Sequence, residues 1–227
     1  MSKLNVAHYV QQLGEAFNAH YNPKIAAEQE AYMRHLFKFH GIKTPERKAI
    51  VKQFLVGCGK PEYAQLGALL KVCYARPQRE FHYFAIQTAA GFVKAEAETM
   101  LPHIEYLITH NSWWDSVDAV SSECVRPLFK LRPQLLAKET MRWVKSGNLW
   151  LQRSSIIAQL GYRHKTDEEV LYRNILALKD TNEFFLNKAI GWALREYSKT
   201  NPGAVKKFMA RHKLSALSVR EGSKYLN

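Results

Sequence analysis

Apolar residues recur along this chain at helical spacing. Leu4, Tyr9, Leu13 and Phe17 fall on one stripe with a period near 3.6 residues. Helix starts are marked by proline: Asn22-Pro23, Thr44-Pro45, Lys60-Pro61, Arg76-Pro77, Arg132-Pro133 and Asn201-Pro202. Proline is preorganised for a first helical position, so each pair predicts a new helix. No alternating run is bounded by Asn-Gly or Asp-Gly, so strand signals are nearly absent. The pattern predicts an all-α fold of about a dozen helices, each of roughly 10–18 residues, joined by short loops.

Stacking these segments exposes a repeat. Phe81-His-Tyr-Phe-Ala-Ile-Gln, Trp113-Trp-Asp-Ser-Val-Asp-Ala, Trp150-Leu-Gln-Arg-Ser-Ser-Ile and Phe184-Phe-Leu-Asn-Lys-Ala-Ile align, with their aromatic starts 32, 37 and 34 residues apart. The last three carry an asparagine two residues upstream: Asn111, Asn148 and Asn182. A two-helix unit with this period predicts a solenoid of antiparallel helix pairs presenting a concave face. The chain has 227 residues, 47% of them hydrophobic, which suits one domain or two small ones; a single domain over 1–227 is expected.

Charge narrows the class of partner. Lys and Arg number 33 against 20 Asp and Glu, a formal charge of +13, with a pI near 9.6. Such an excess predicts a polyanionic partner: DNA, RNA or an acidic membrane face. Residues 1–110 carry a net +4 and residues 111–227 a net +9, so the second half should hold more of the anion-binding face. Three cysteines, Cys58, Cys73 and Cys124, form no CxxC pair, which supports neither a disulfide framework nor a cysteine zinc site and points to a reducing intracellular compartment. The first residues show no signal-peptide pattern, and no run of about 18 apolar residues predicts a membrane span. No GxGxxG, HExxH or GxSxG occurs, and Gly57-Cys-Gly59-Lys60 is only a fragment of a phosphate loop. The nine histidines show no metal-ligand spacing.

Four residues break the helical pattern. From Ser112 onward Trp113, Val117, Val120 and Cys124 form a core stripe; offset by about 100°, Trp114 and Asp118 point elsewhere as i, i+4 neighbours. No cation lies three or four residues from Asp118, and Asp115 repels it, so an intrahelical ion pair does not account for it. Arg153 shares a face with Leu149, Ile156, Ile157 and Leu160 and needs either an acid from another helix or a phosphate. Trp192 lies between Lys188 and Arg195, an arrangement that suits nucleic acid or else a core indole flanked by snorkelling cations. Lys199, Lys206, Lys207, Arg211 and Lys213 follow as phosphate contacts or a solvated basic face.

Three of these segments together resemble the AlkD-type DNA alkylation-repair glycosylases: Ser112-Trp-Trp-Asp-Ser-Val-Asp118, Trp150-Leu-Gln-Arg153 and Lys188-Ala-Ile-Gly-Trp-Ala-Leu-Arg-Glu-Tyr-Ser-Lys-Thr-Asn-Pro202. Gly41-Ile-Lys-Thr-Pro-Glu-Arg47, preceded by Tyr32, extends the likeness to nearly the whole chain. The resemblance implies a right-handed superhelix of HEAT-like repeats with a basic concave face. It implies a monofunctional glycosylase that hydrolyses the N-glycosidic bond of N3- and N7-alkylated purines in duplex DNA, such as 3-methyladenine and 7-methylguanine, leaving an abasic site without flipping the base into a pocket. Trp114, Asp118, Arg153 and Trp192 carry over as catalytic positions, Arg153 on the phosphate beside the lesion. Tyr32, Arg47 and Arg195 carry over as DNA contacts, joined by Lys188, Lys199, Lys206 and Lys207. The resemblance implies no metal or organic cofactor. A cytoplasmic monomer, on the nucleoid when bound to DNA, is expected. A catalytically silent HEAT-like DNA- or RNA-binding module would share the charge and the solenoid, but has no need of Trp114 beside Asp118. A protein–protein scaffold would not need +13.

Overall fold

The helical spacing is realised throughout. In the computed structural model, which describes residues 4–226, the chain is all-α; among these residues the only β feature is an isolated bridge between Lys38 and Gln78. The helices divide into two compact units between Phe92 and Val93.

The first unit holds α1 (Val6–Asn18), α2 (Pro23–Tyr32), α3 (Thr44–Cys58), α4 (Tyr63–Tyr74) and α5 (Arg79–Phe92). α1 buries Tyr9, Leu13 and Phe17 as the stripe requires, while Leu4 precedes the helix. Asn5 caps it by accepting from the His8 N–H (3.1 Å). α1 packs on α3 and α4, and α4 on α5. Pro23 and Pro45 lie in first turns, as do Pro133 and Pro202 in the second unit. Pro61 and Pro77 do not. α4 instead begins after Glu62, whose N–H donates to Gln65 Oε1 (2.8 Å) in a capping box. Residues 77–79 are drawn into extended pairing with Lys38, whose carbonyl accepts from the Arg79 N–H (2.8 Å).

The second unit holds α6 (Leu101–Thr109), α7 (Trp114–Val120), a π-helical turn (Ser121–Val125), α8 (Arg126–Leu131), α9 (Pro133–Val144), α10 (Leu149–Ile157), α11 (Glu168–Leu178), α12 (Phe184–Ser198), α13 (Pro202–Arg211) and α14 (Ala216–Gly222). Several are shorter than the spacing predicts, with six residues in α8 and seven in α14. α7, the π turn and α8 run on without a break. Pro127 explains the widened turn: it has no N–H to offer the carbonyl four residues back, and its ring crowds that carbonyl. The Arg126 N–H and its Nε both donate to the Ser121 carbonyl instead.

The helices of this unit stack in layers. α7, α10, α12 and α14 touch in succession, and α9 and α11 pack on each other and on α10. Three of the four aligned segments meet through their side chains. Trp113, Trp150 and Phe185 form one aromatic cluster with ring centroids 5.0–5.8 Å apart. The fourth segment therefore enters one residue later than its alignment, leaving Phe184 exposed. Only Asn148 of the three upstream asparagines caps its helix, accepting from the Trp150 and Leu151 N–H groups; Trp113 and Glu183 take that position in α7 and α12. No helix among the described residues is long and apolar enough to cross a membrane. Cys58, Cys73 and Cys124 are free thiols.

α12 and α14 pack closely, and glycine permits it. A Cβ on Gly191 would sit 2.5 Å from Glu221 Cβ and 3.0 Å from the Ser218 carbonyl oxygen. Gly91 in α5 has nothing within 4 Å of the same position. Gly191→Ala is expected to destabilise the chain by about 2 kcal/mol, because overpacking outweighs the gain in helix propensity. Gly91→Ala is expected to stabilise by up to about 1 kcal/mol. Urea unfolding of the two variants checks both signs.

Candidate active site

The residues that break the helical pattern lie on three helices of the second unit that touch in succession. Trp114 and Asp118 lie on α7, Arg153 on α10, and Lys188, Trp192 and Arg195 on α12. Asp118 and Arg153 form a bidentate pair: Nε reaches Oδ1 and Nη2 reaches Oδ2, each at 2.8 Å. Nη1 of Arg153 donates to the Phe185 carbonyl (2.7 Å), in the first turn of α12. One guanidinium thus ties three helices together. Next to it, Ser121 Oγ in the π turn donates to Ser154 Oγ (3.2 Å), a second link between the same helices.

This arrangement resolves the two readings left open for Arg153 toward the protein itself. Its side chain is 6% exposed, and each of its three nitrogens already donates within the protein. The carry-over that placed it on a phosphate therefore meets a guanidinium whose fork is occupied by Asp118. The Asp118 side chain is 20% exposed, so it keeps a path to solvent that Arg153 lacks. Trp114 is half-buried one turn earlier on the same helix face.

Trp192 is also half-buried and packs against the core that includes Ile190 and Leu194. Its flanking cations do not simply snorkel. Lys188 Nζ lies 3.1 Å from Glu221 Oε1, and Arg195 Nη1 donates to Glu221 Oε2 at 2.9 Å. Lys224 reaches the same carboxylate at 2.8 Å. Lys224, then Lys188, hold the buried Glu221 carboxyl down at about 2, against the opposing effect of burial. Helical spacing does not single out Glu221, although after Glu196 it is the only acid in a strongly basic stretch.

The remaining predicted DNA contacts are dispersed. Lys199, Lys206 and Lys207 are exposed; Lys199 pairs with Glu196 at 2.6 Å. Tyr32 is 70% exposed in the first unit. Arg47 is buried there, its guanidinium 4.2 Å from the Tyr83 ring centroid, so no free cation is offered at that position. The motif around it is shaped by packing. Gly41 has φ +79°, and a Cβ there would lie 2.1 Å from the Asn22 carbonyl oxygen. Glu80 accepts the His40 N–H at 3.0 Å on the same bend.

Residues 13–226 match the family described as DNA alkylation repair enzyme. The chain belongs to that family. Among solved structures it is similar to a predicted DNA alkylation repair enzyme from Enterococcus faecalis, with 37% identity and a TM-score of 0.84 over 91% of this chain and 96% of that one. A search of curated proteins returned no match. Family membership makes DNA the expected substrate.

Removing either member of the Asp118–Arg153 pair leaves the other without its counter-charge in a largely buried setting. Asp118→Ala and Arg153→Ala are each expected to cost about 3 kcal/mol. The double variant should cost clearly less than the sum, read by a denaturant double-mutant cycle; strict additivity would show that the two do not act as a pair.

The Glu221 cluster sets a pH dependence. A carboxyl held lower in the folded state than in the unfolded chain contributes stability above the unfolded value, and that stability is lost as pH falls. Thermal melts should show stability declining from about pH 4.5 toward about 2, the span between the ordinary and the folded value. Glu221→Gln is expected to be less stable at neutral pH and to have a flatter profile across that span.

Proposed function

We propose that this chain is a monofunctional DNA glycosylase. It hydrolyses the N-glycosidic bond of cationic N3- and N7-alkylpurines, such as 3-methyladenine and 7-methylguanine, in duplex DNA and leaves an abasic site. It acts as a cytoplasmic monomer, nucleoid-associated when on DNA, without swinging the base into a pocket. The observation that carries this reading is the Asp118 carboxylate, fixed in both oxygens by a buried guanidinium yet one-fifth exposed, with Trp114 a turn away.

The chemistry suits those groups. Alkylation leaves the purine positively charged, so it departs without prior protonation. The C1′–N bond breaks with its electron pair going to the purine, and positive charge develops on the sugar. A carboxylate about 4 Å from that charge contributes roughly 4 kcal/mol at an effective dielectric near 20. The Arg153 charge, about 4 Å further away, offsets roughly half of this, leaving about 2 kcal/mol, or about thirtyfold in rate. The pair therefore serves less as a bare charge than as a rigid acceptor. The lone pairs of Asp118 not used by Arg153 can orient a water, whose oxygen bonds to C1′ as its proton passes to the carboxylate and then to solvent. Trp114 and Trp192 can hold the cationic nucleotide by face contact, at about 0.5–2 kcal/mol each.

One observation favours a second reading. Asp118 has a structural partner in Arg153, so a silent DNA-binding module could retain it for packing alone. Release of free base from a duplex carrying 7-methylguanine separates the two. The wild type is expected to release base and Asp118→Asn to lose at least about tenfold in rate, since Asn keeps the shape and loses the charge. Melting temperature and DNA affinity are followed alongside, because Arg153 loses its counter-ion in that variant. Wild-type release by Asp118→Asn would remove both roles given to the carboxylate. No release by the wild type from 7-methylguanine, 3-methyladenine or bulkier adducts would leave the binding module.

A further inference from the structure

Arg153 and Arg195 each pair with a carboxylate, but Arg126, where the π turn meets α8, does not. Its Nε donates to the Ser121 carbonyl (3.3 Å) and its Nη1 to the Leu160 carbonyl just beyond α10 (2.8 Å). Both acceptors are main-chain oxygens, and Arg126 forms no ion pair among the described residues. Nη2 has no hydrogen-bond partner among them and is not a buried atom, although the side chain is half-buried. Burial pulls the guanidinium below its ordinary value, against the support of Tyr162, Glu196 and Asp118, and an arginine stays charged regardless. A held, charged guanidinium with unused N–H groups and no counter-ion calls for an anion.

We propose that Arg126 contacts a DNA backbone phosphate beside the reaction site, the contact that the occupied fork of Arg153 does not offer. This inference rests on the glycosylase reading above. Arg126 follows Asp118 by eight residues through Ser122, two turns along one side of a continuous helix, or about 12 Å. Its electrostatic neighbours include Asp118 and Glu196, and Glu196 lies one turn after Trp192 on α12. Arg126 therefore shares the side of the unit that carries Asp118 and Trp192. Glu196 has its own cation in Lys199, at 2.6 Å. Tyr162 braces the position: its hydroxyl donates to the Arg126 carbonyl (2.6 Å), and its ring centroid lies 4.9 Å from Lys130 Nζ. Arg163 follows, exposed, with φ +55°. The two main-chain anchors fix the plane of the Arg126 guanidinium, so little side-chain freedom is lost when its remaining N–H groups meet a phosphate oxygen.

Duplex binding by the full chain, followed by fluorescence anisotropy between about 50 and 200 mM salt, tests the contact on unmodified DNA, where no base release intervenes. Arg126→Gln is expected to bind about tenfold more weakly than the wild type, and its plot of log Kd against log salt to flatten by about 0.9, the share of one phosphate. Arg126→Lys keeps the charge and is expected to retain the wild-type slope. Melting temperatures are measured for both, since a role confined to bracing the π turn lowers stability and leaves the salt slope of the folded protein unchanged. Should Arg126→Gln not fold, the Arg126 Nε–Hε resonance of the wild type decides: it is expected to shift on addition of duplex and to return as salt is raised. Wild-type binding with an unchanged slope in folded Arg126→Gln, or with that resonance unmoved, would overturn the contact and leave the glycosylase reading standing. A wild type without salt-dependent duplex binding would overturn both.

Discussion

The Arg153 guanidinium is where the second unit's architecture and its chemistry meet. A guanidinium offers five N–H donors in a rigid fork and cannot shed its charge, so burying one demands partners on every side. Asp118 on α7 takes two directions and the Phe185 carbonyl on α12 a third. The carboxylate is thereby held at one position and orientation relative to two other helices. An aspartate on a solvent-exposed helix face would sample several rotamers; this one has its fork geometry imposed. A group meant to orient water beside a reacting carbon gains from that rigidity, because misplacement by about 1 Å can cost a hundredfold in rate.

The arrangement has an electrostatic consequence. A charge balanced by its own counter-ion projects a weaker field than an isolated one. Asp118 cannot be credited with the full attraction of a bare carboxylate for a developing sugar cation. What the pair keeps is geometry and hydrogen-bond acceptance. The leaving group, already cationic, lowers the demand on the protein, so a modest electrostatic contribution joined to a well-oriented water suffices for the proposed reaction.

A similar logic governs the end of the chain. Glu221 on α14 gathers Lys188, Arg195 and Lys224 around one buried carboxylate, and Gly191 lets α14 approach α12 closely enough to do so. The cations that flank Trp192 are thus held in place rather than free to sweep the surface. An approaching phosphate would meet cations whose charge is partly spent on Glu221, which favours directional contact over undirected attraction. The aromatic cluster of Trp113, Trp150 and Phe185 does for the repeats what these ion pairs do for the polar groups: it sets the register between neighbouring helices.

Much of this was legible in the sequence, and the part that was not has a definite cause. Helical spacing, proline placement and the aromatic period determined an all-α chain, because backbone preference and side-chain periodicity are local properties. The i, i+4 relation of Trp114 and Asp118 was likewise local, as was the absence of an intrahelical partner for Asp118 or Arg153. Which helices supplied those partners was not. Asp118 and Arg153 are separated by 35 residues, and Arg195 and Glu221 by 26, and no spacing rule along one helix spans such gaps. The sequence could therefore say that each charge needed something; only the tertiary packing of α7, α10, α12 and α14 decided that Asp118 and Arg153 satisfied one another and that Glu221 held the cations beside Trp192. The same distinction applies to Arg47, whose exposure could not be read locally and whose burial against Tyr83 depends on how α3 and α5 meet. Local chemistry determined which residues were unusual, and long-range packing decided what each of them does.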